Sequence, residues 1–94
     1  MYMEKYLKNM GISKIGRYND KNAYIIDIDD SDEYGKIYSI LDKNDDLEEV
    51  DENSKITIQT STIVFESDEY KFTLLADFDR DTYKLICVEI QGEE

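Results

Sequence analysis

"AYIIDIDDSDEYGKIYSIL", residues 23–41, changes period in its middle. Up to Asp29 it alternates, with Tyr24, Ile26 and Ile28 on one parity and Ile25, Asp27 and Asp29 on the other, the period-2 pattern of a strand with one buried face. Beyond it, Tyr34, Ile37, Tyr38 and Leu41 recur at i, i+3, i+4 and i+7, the spacing of an amphipathic helix. Asp30, with Glu33 three residues later, has capping-box spacing with Asp in place of Ser or Thr, and its carboxylate is suited to accept an N–H that the first helical turn leaves free. A strand over 23–29 thus feeds a helix over about 31–43, each with one apolar face to bury against the other.

The flanking segments extend this pattern. Tyr2, Tyr6, Leu7 and Met10 share a helical face, Gly11 stands where a left-handed C-cap is expected, and Ile12 is placed for the accompanying apolar contact, so a first helix covers about 2–10. "SKIGRYNDKNAYIIDID" then places a short strand over 13–18 and a turn at Asn19-Asp20-Lys21-Asn22. "DKNDDLEEVDENS", residues 42–54, has only Leu47 and Val50 to anchor it and reads as an acidic loop with room for one helical turn. Lys55 to Glu66 carries Ile56 and Ile58 on one parity and Ile63 and Phe65 on the other, which requires a bulge or turn near 59–62. Phe72, Leu74, Ala76 and Phe78 form an inward stripe, and Lys84, Ile86, Val88 and Ile90 a second one after the turn at Asp79-Arg80-Asp81-Thr82. The predicted order α-β-β-α-β-β-β describes an α+β fold with two helices packed on one face of an antiparallel sheet, one domain over residues 1–94.

At 94 residues, with 40% apolar side chains, eight tyrosines and no proline, the chain is able to bury roughly 60–68% of the surface its unfolded form exposes. Its net charge of -12 is unevenly spread, since residues 27–54 hold twelve carboxylates against two lysines while residues 1–26 are net basic. Such a surface repels nucleic acid and anionic membrane and attracts a basic partner. Met1-Tyr2-Met3-Glu4 opens no signal peptide, and no apolar run approaches the roughly 20 residues of a membrane span, so a cytoplasmic protein without membrane contact is expected. Cys87, the only cysteine, has no internal disulfide partner and no histidine to activate it, and reads as a small buried apolar residue.

Two acidic runs approach calcium loops. In "DSDEYGKIYSIL" Asp30, Asp32, Gly35 and Ile37 fit positions 1, 3, 6 and 8, but Tyr34 occupies position 5 and Leu41 position 12, where oxygen ligands are needed. "DFDRDTY" spaces Asp77, Asp79 and Asp81 at i, i+2 and i+4 without the following glycine or distal glutamate. A helix N-terminus and an Asp-rich hairpin turn explain these runs, and neither a metal nor another cofactor is expected. Without histidine, a phosphate-cradling glycine loop or a nucleophile elbow, catalysis is not expected either.

The carboxylates suit another role, imitation of nucleic-acid phosphates. Alternate strand residues stand about 6.7 Å apart, close to two steps of about 3.4 Å along one DNA strand. The candidate partner-binding residues are Asp27, Asp29, Asp30, Asp32, Glu33, Asp45, Asp46, Glu48, Glu49, Asp51 and Glu52. The competing explanation is a solvated acidic face that keeps the chain soluble.

"SKITIQTSTIVFESDEYKFTLLADFDRDTYKLICVEIQ", residues 54–91, resembles the sheet of the phage-encoded inhibitors that mimic DNA, nearest the uracil-DNA glycosylase inhibitor family, in strand order, in the Leu74-Leu75 pair and in Val88-Glu89-Ile90-Gln91. The resemblance implies a strand edge, with an acidic residue before the second helix, inserted into an enzyme's DNA groove, and by position implicates Asp27 and Asp29. This chain departs from the family in the added strand at 13–18 and in lacking the family's final strand beyond 91. The expectation is a non-enzymatic acidic inhibitor of a basic nucleic-acid-binding protein, such as a CRISPR effector, a restriction enzyme or a DNA glycosylase, with no direct nucleic-acid binding of its own. An immunity protein that neutralises a nuclease toxin and a housekeeping α+β domain with an acidic surface are the alternatives.

Overall fold

The computed structural model describes residues 2–19, 23–50 and 54–90. Among these residues two helices, α1 (Tyr2–Met10) and α2 (Ser31–Asp42), accompany seven strands: β1 (Arg17–Tyr18), β2 (Tyr24–Ile28), β3 (Glu48–Glu49), β4 (Lys55–Ile56), β5 (Thr60–Glu66), β6 (Tyr70–Asp77) and β7 (Thr82–Glu89). All pair antiparallel in the order β1-β2-β7-β6-β5, and β3 and β4 share the outer edge of β5. The architecture is the expected α+β arrangement of two helices on an antiparallel sheet.

Local chemistry sets the helix ends. The Ile12 N–H donates to the Leu7 carbonyl at 2.9 Å and the Gly11 N–H to that of Lys8 at 3.0 Å, the two bonds of a Schellman motif, which Gly11 permits with φ +106°. Leu7 and Ile12, the apolar pair of that motif, are both buried. At the start of α2, Asp30 Oδ1 accepts the Glu33 N–H at 2.9 Å, as the capping spacing requires. The predicted turn after β1 is closed at its base by the Asn19 N–H on the Ala23 carbonyl and the Ala23 N–H on Asn19 Oδ1, each 2.9 Å; Asp20, Lys21 and Asn22 lie outside the described residues.

The core consists of three cross-strand rows on the helix-covered face: Phe65-Phe72-Cys87-Tyr24, Ile63-Leu74-Leu85-Ile26 and Ser61-Ala76-Tyr83-Ile28, every member buried. The Tyr6 ring of α1 stacks on Tyr70 at 4.4 Å and lies 6.1 Å from Phe72. From α2, Tyr38 meets Phe65 at 5.9 Å and Tyr34 meets Tyr83 at 5.3 Å, while Ile37 and Leu41 are buried, each worth about 1.5–3 kcal/mol of burial. Ser61, the one buried polar side chain among the described residues, receives the Tyr34 hydroxyl at 3.4 Å.

Three expectations require correction. The inward stripe of the last strand is Tyr83, Leu85 and Cys87 instead of Lys84, Ile86, Val88 and Ile90. Both parities of β7 are apolar, and pairing Cys87 with Phe72 and Leu85 with Leu74 decides between them, since direct partners share a face. Phe78 is 46% exposed: β6 stops at Asp77, and the Phe78 N–H turns aside to the Gln59 carbonyl at 2.8 Å, so Tyr70 completes the stripe of Phe72, Leu74 and Ala76. The acidic segment holds no helical turn among its described residues; buried Leu47 anchors it, and β3 pairs Glu48 with Glu66 and Glu49 with Phe65. The break expected within 55–66 does occur, between β4 and β5, and leaves Ile58 97% exposed.

Two glycines give opposite tests of this packing. A Cβ at Gly16 would stand 2.6 Å from the Ile25 carbonyl oxygen and 2.9 Å from the Tyr24 ring, whereas one at Gly35, inside α2, meets nothing within 4 Å. Gly35→Ala should stabilise by about 0.5–1 kcal/mol, and Gly16→Ala should destabilise by about 1–3 kcal/mol. Thermal melting should separate them, at about 4–8 °C per kcal/mol for a domain of this size.

Alkaline pH supplies a second check. Burial pushes the Cys87 thiol up to about 12 from 9.0 and raises Tyr6, Tyr18, Tyr38 and Tyr70, while Tyr83 is raised first by its hydrogen bond to Asp81. The folded chain therefore keeps these protons longer than the unfolded chain. Their stabilising contribution is complete below about pH 9 and is lost as pH climbs toward 12. The melting temperature should fall steadily above pH 9, and maleimide should label Cys87 only on unfolding.

Candidate functional site

The acidic window of residues 27–54 does not form one cluster. Helix α2, twelve residues long, spans about 18 Å and separates the window into two ends. At its N-terminal end the carboxylates are engaged: Arg17 pairs with Asp27, Lys14 Nζ lies 2.9 Å from Asp29 and 3.7 Å from Glu33, and Asp30 caps the helix. Asp32 is exposed in the first turn, where a negative charge complements the helix dipole. The calcium-like spacing of Asp30, Asp32 and Gly35 is thus occupied by a helix start. Asp77 and Asp81 likewise serve their own turn, Asp77 Oδ1 accepting the Arg80 N–H at 3.2 Å and Asp81 accepting the Tyr83 hydroxyl at 2.9 Å.

At the other end Asp45, Asp46 and Glu48 meet three acids from the β5–β6 hairpin, Glu66, Asp68 and Glu69, around a groove of about 540 Å³. Tyr6, Ser67 and Tyr70 complete its lining, and among the described residues no lysine or arginine takes part. None of the six carboxylates has a cation within 4.0 Å among the described residues. The Tyr6 phenol registers this surrounding: its pKa is raised by burial first, then by the fields of Asp46, Tyr70 and Glu69.

The local sequence fixes these acids in place. Asn44 Oδ1 accepts the Asp46 N–H at 2.9 Å and the Asn44 carbonyl accepts the Leu47 N–H at 3.1 Å, so the chain leaving α2 makes an Asx turn before Leu47 enters the core. Glu48 and Glu66 then stand directly opposite each other in the β3–β5 ladder. In the hairpin, Ser67 Oγ accepts the N–H groups of Tyr70 at 3.1 Å and Glu69 at 3.3 Å. Carboxylates lining one groove on hydrogen-bonded backbone are suited to receive guanidinium or ammonium groups.

Of the predicted residues, the structure brings Asp45, Asp46 and Glu48 together and leaves Asp27, Asp29, Asp30, Asp32 and Glu33 at the far end of α2. Glu49 is exposed on β3 outside the groove lining, and Asp51 and Glu52 lie outside the described residues. Glu66, Asp68 and Glu69 are the additions. Their signal is "FESDEYK", residues 65–71, a hairpin turn with acids on both sides of its serine. No protein-family model, curated protein or solved structure matches this chain.

Like charges directly opposite in an antiparallel ladder are destabilising by about 0.2–1 kcal/mol. Glu48→Gln should therefore raise the melting temperature by a few degrees. Moderate salt should also stabilise the unmodified chain by screening the groove, over a Debye length of about 10 Å at 0.1 M, and its benefit should shrink in the variant. An unchanged salt response would show that Glu48 and Glu66 do not repel.

Proposed function

We propose that the protein is a non-enzymatic acidic inhibitor that presents carboxylates in place of nucleic-acid phosphates and occupies the basic groove of a nucleic-acid-binding enzyme, in the manner of phage-encoded DNA mimics. The observation that carries this reading is the groove of Asp45, Asp46, Glu48, Glu66, Asp68 and Glu69, whose six carboxylates have no cation within 4.0 Å among the described residues. A surface built only for solubility gains nothing from gathering its acids around one groove, because repulsion grows as like charges approach. Its setting on a strand pair and a hairpin lowers the ordering cost of binding. The ion-paired Asp27 and Asp29 would have to be released from Arg17 and Lys14 before serving the same purpose. The target class is an enzyme whose DNA or RNA channel is lined by lysine and arginine, of which restriction enzymes, CRISPR effectors and DNA glycosylases are examples.

The test compares two variants that each remove two negative charges, Asp46→Asn with Glu69→Gln in the groove and Asp27→Asn with Asp29→Asn at the ion-paired end. A panel comprising one enzyme of each of those three kinds is assayed for inhibition and for competition by duplex DNA. Wild-type protein should inhibit at least one member, with DNA relieving the inhibition and salt weakening it. The groove pair should lose about tenfold or more in affinity, since each charged hydrogen bond is worth about 1.5–3 kcal/mol, and the ion-paired variant should lose distinctly less. Equal losses from both pairs, or inhibition indifferent to DNA, would reduce the acids to bulk charge and end the mimic reading.

A further inference from the structure

The sheet has a second face, opposite the one the helices cover. The parity opposite to the core points there, and register sets Ile25, Ile86, Thr73 and Val64 side by side across four strands, with Leu75 and Val88 beside that row. Val64, at the margin where Val50 and Ser54 bond its backbone, is already buried within the chain, and the five half-buried side chains are what the face offers. An open face of an antiparallel sheet ordinarily alternates to polar residues; here its centre is apolar.

Its charge differs from that of the remaining surface. Strand pairing assigns to this parity the bases Arg17, Lys55, Lys71 and Lys84 and the acids Asp27, Glu48, Glu66 and Asp77. Four against four leaves the strand positions of this face balanced, whereas the chain as a whole carries a net charge of -12. The signs are interleaved, because Lys84 is the ladder partner of Asp27 and Lys71 that of Glu66.

We infer that this face receives a second copy of the chain, packed sheet on sheet about a two-fold axis. A chain of such net charge repels its own copy, and the neutral face is where two copies approach with least opposition. A surface carrying both signs around an apolar centre is able to complement itself, as an isologous contact requires. A basic partner, by contrast, finds Arg17, Lys55, Lys71 and Lys84 here, and of the six groove acids only Glu48 and Glu66 reach this face, at its β3–β5 margin. The area also suffices. Three strands of 7 or 8 residues, one of 5 and three edge strands of 2, at about 3.4 Å per residue and roughly 4.8 Å per strand, give roughly 550 Å² per copy. The total of about 1,100 Å² lies just above the roughly 1,000 Å² that a specific interface needs, so the dimer is weak and forms at micromolar or higher concentration. This inference does not depend on the inhibitor reading.

Analytical ultracentrifugation of the full chain from about 10 to 500 μM, at about 0.05 and 0.5 M salt, tests it. The mass should rise to twice the monomer's with concentration, and salt should tighten the association by screening the repulsion between copies. Thr73→Lys, which puts a charge at the centre of the row, should weaken dimerisation about tenfold or more. Ile86→Thr, which keeps a β-branched strand residue, should weaken it severalfold, with circular dichroism confirming that each variant is folded. A monomer at the highest concentration in high salt, a dimer that both folded variants leave unchanged, or growth past two copies would each overturn the inference.

Discussion

Phe65, Phe72, Cys87 and Tyr24 form one dry row across four strands, and the register that creates it governs both surfaces of the sheet. Because side chains alternate strictly along a strand, a slip of one residue in β7 would exchange Cys87 and Leu85 for Ile86 and Val88 beneath the helices. The helices favour the register observed. Tyr34 of α2 packs its ring on Tyr83 of β7 at 5.3 Å, a contact that a one-residue slip would remove, while Tyr6 and Tyr38 cover Phe72 and Phe65 of the neighbouring strands. The same constraint sets Ile25, Thr73, Ile86 and Val64 outward together.

Features governed by neighbours in sequence were legible from the sequence. The Gly11 C-cap, the Asp30 N-cap and both apolar helix faces depend on residues within one or two turns. The parity of β7 was not legible, because Tyr83, Leu85 and Cys87 are no more apolar than Ile86, Val88 and Ile90; the decision lies in β6, across a turn. Strand β3 was illegible for a different reason. Two glutamates are poor strand formers, and they pair because Leu47 is anchored beside the free edge of β5. The acidic site was half legible. A contiguous window suggested one cluster, but a rigid helix carries its two ends apart, and the missing half of the groove comes from a hairpin about twenty residues further along.

The acids also protect the sheet. An exposed edge invites pairing with another chain, and proteins limit this with short strands and charge. β3 brings two glutamates to the outer edge of β5, and β4 opens with Lys55, each strand only two residues long. At the opposite edge β1 is equally short and carries Arg17. Growth of the sheet edge to edge is thereby opposed, which leaves the open face as the apolar surface available to a regular contact.

The groove and the open face place opposite demands on charge. Binding a cation is strongest where carboxylates stand close together and unpaired, which is also the arrangement the folded chain resists most. This fold tolerates it at one end because the backbone there is held by other means: the Asx turn of Asn44, the burial of Leu47, the β3–β5 ladder and the Ser67 hairpin bonds. None of these involves a carboxylate. A substitution in the groove thus removes charge without removing the supports that position it, so repulsion is relieved while the backbone remains in place. The separation between what holds the acids and what the acids do is the physical condition for a surface whose binding strength and folding stability change in opposite directions.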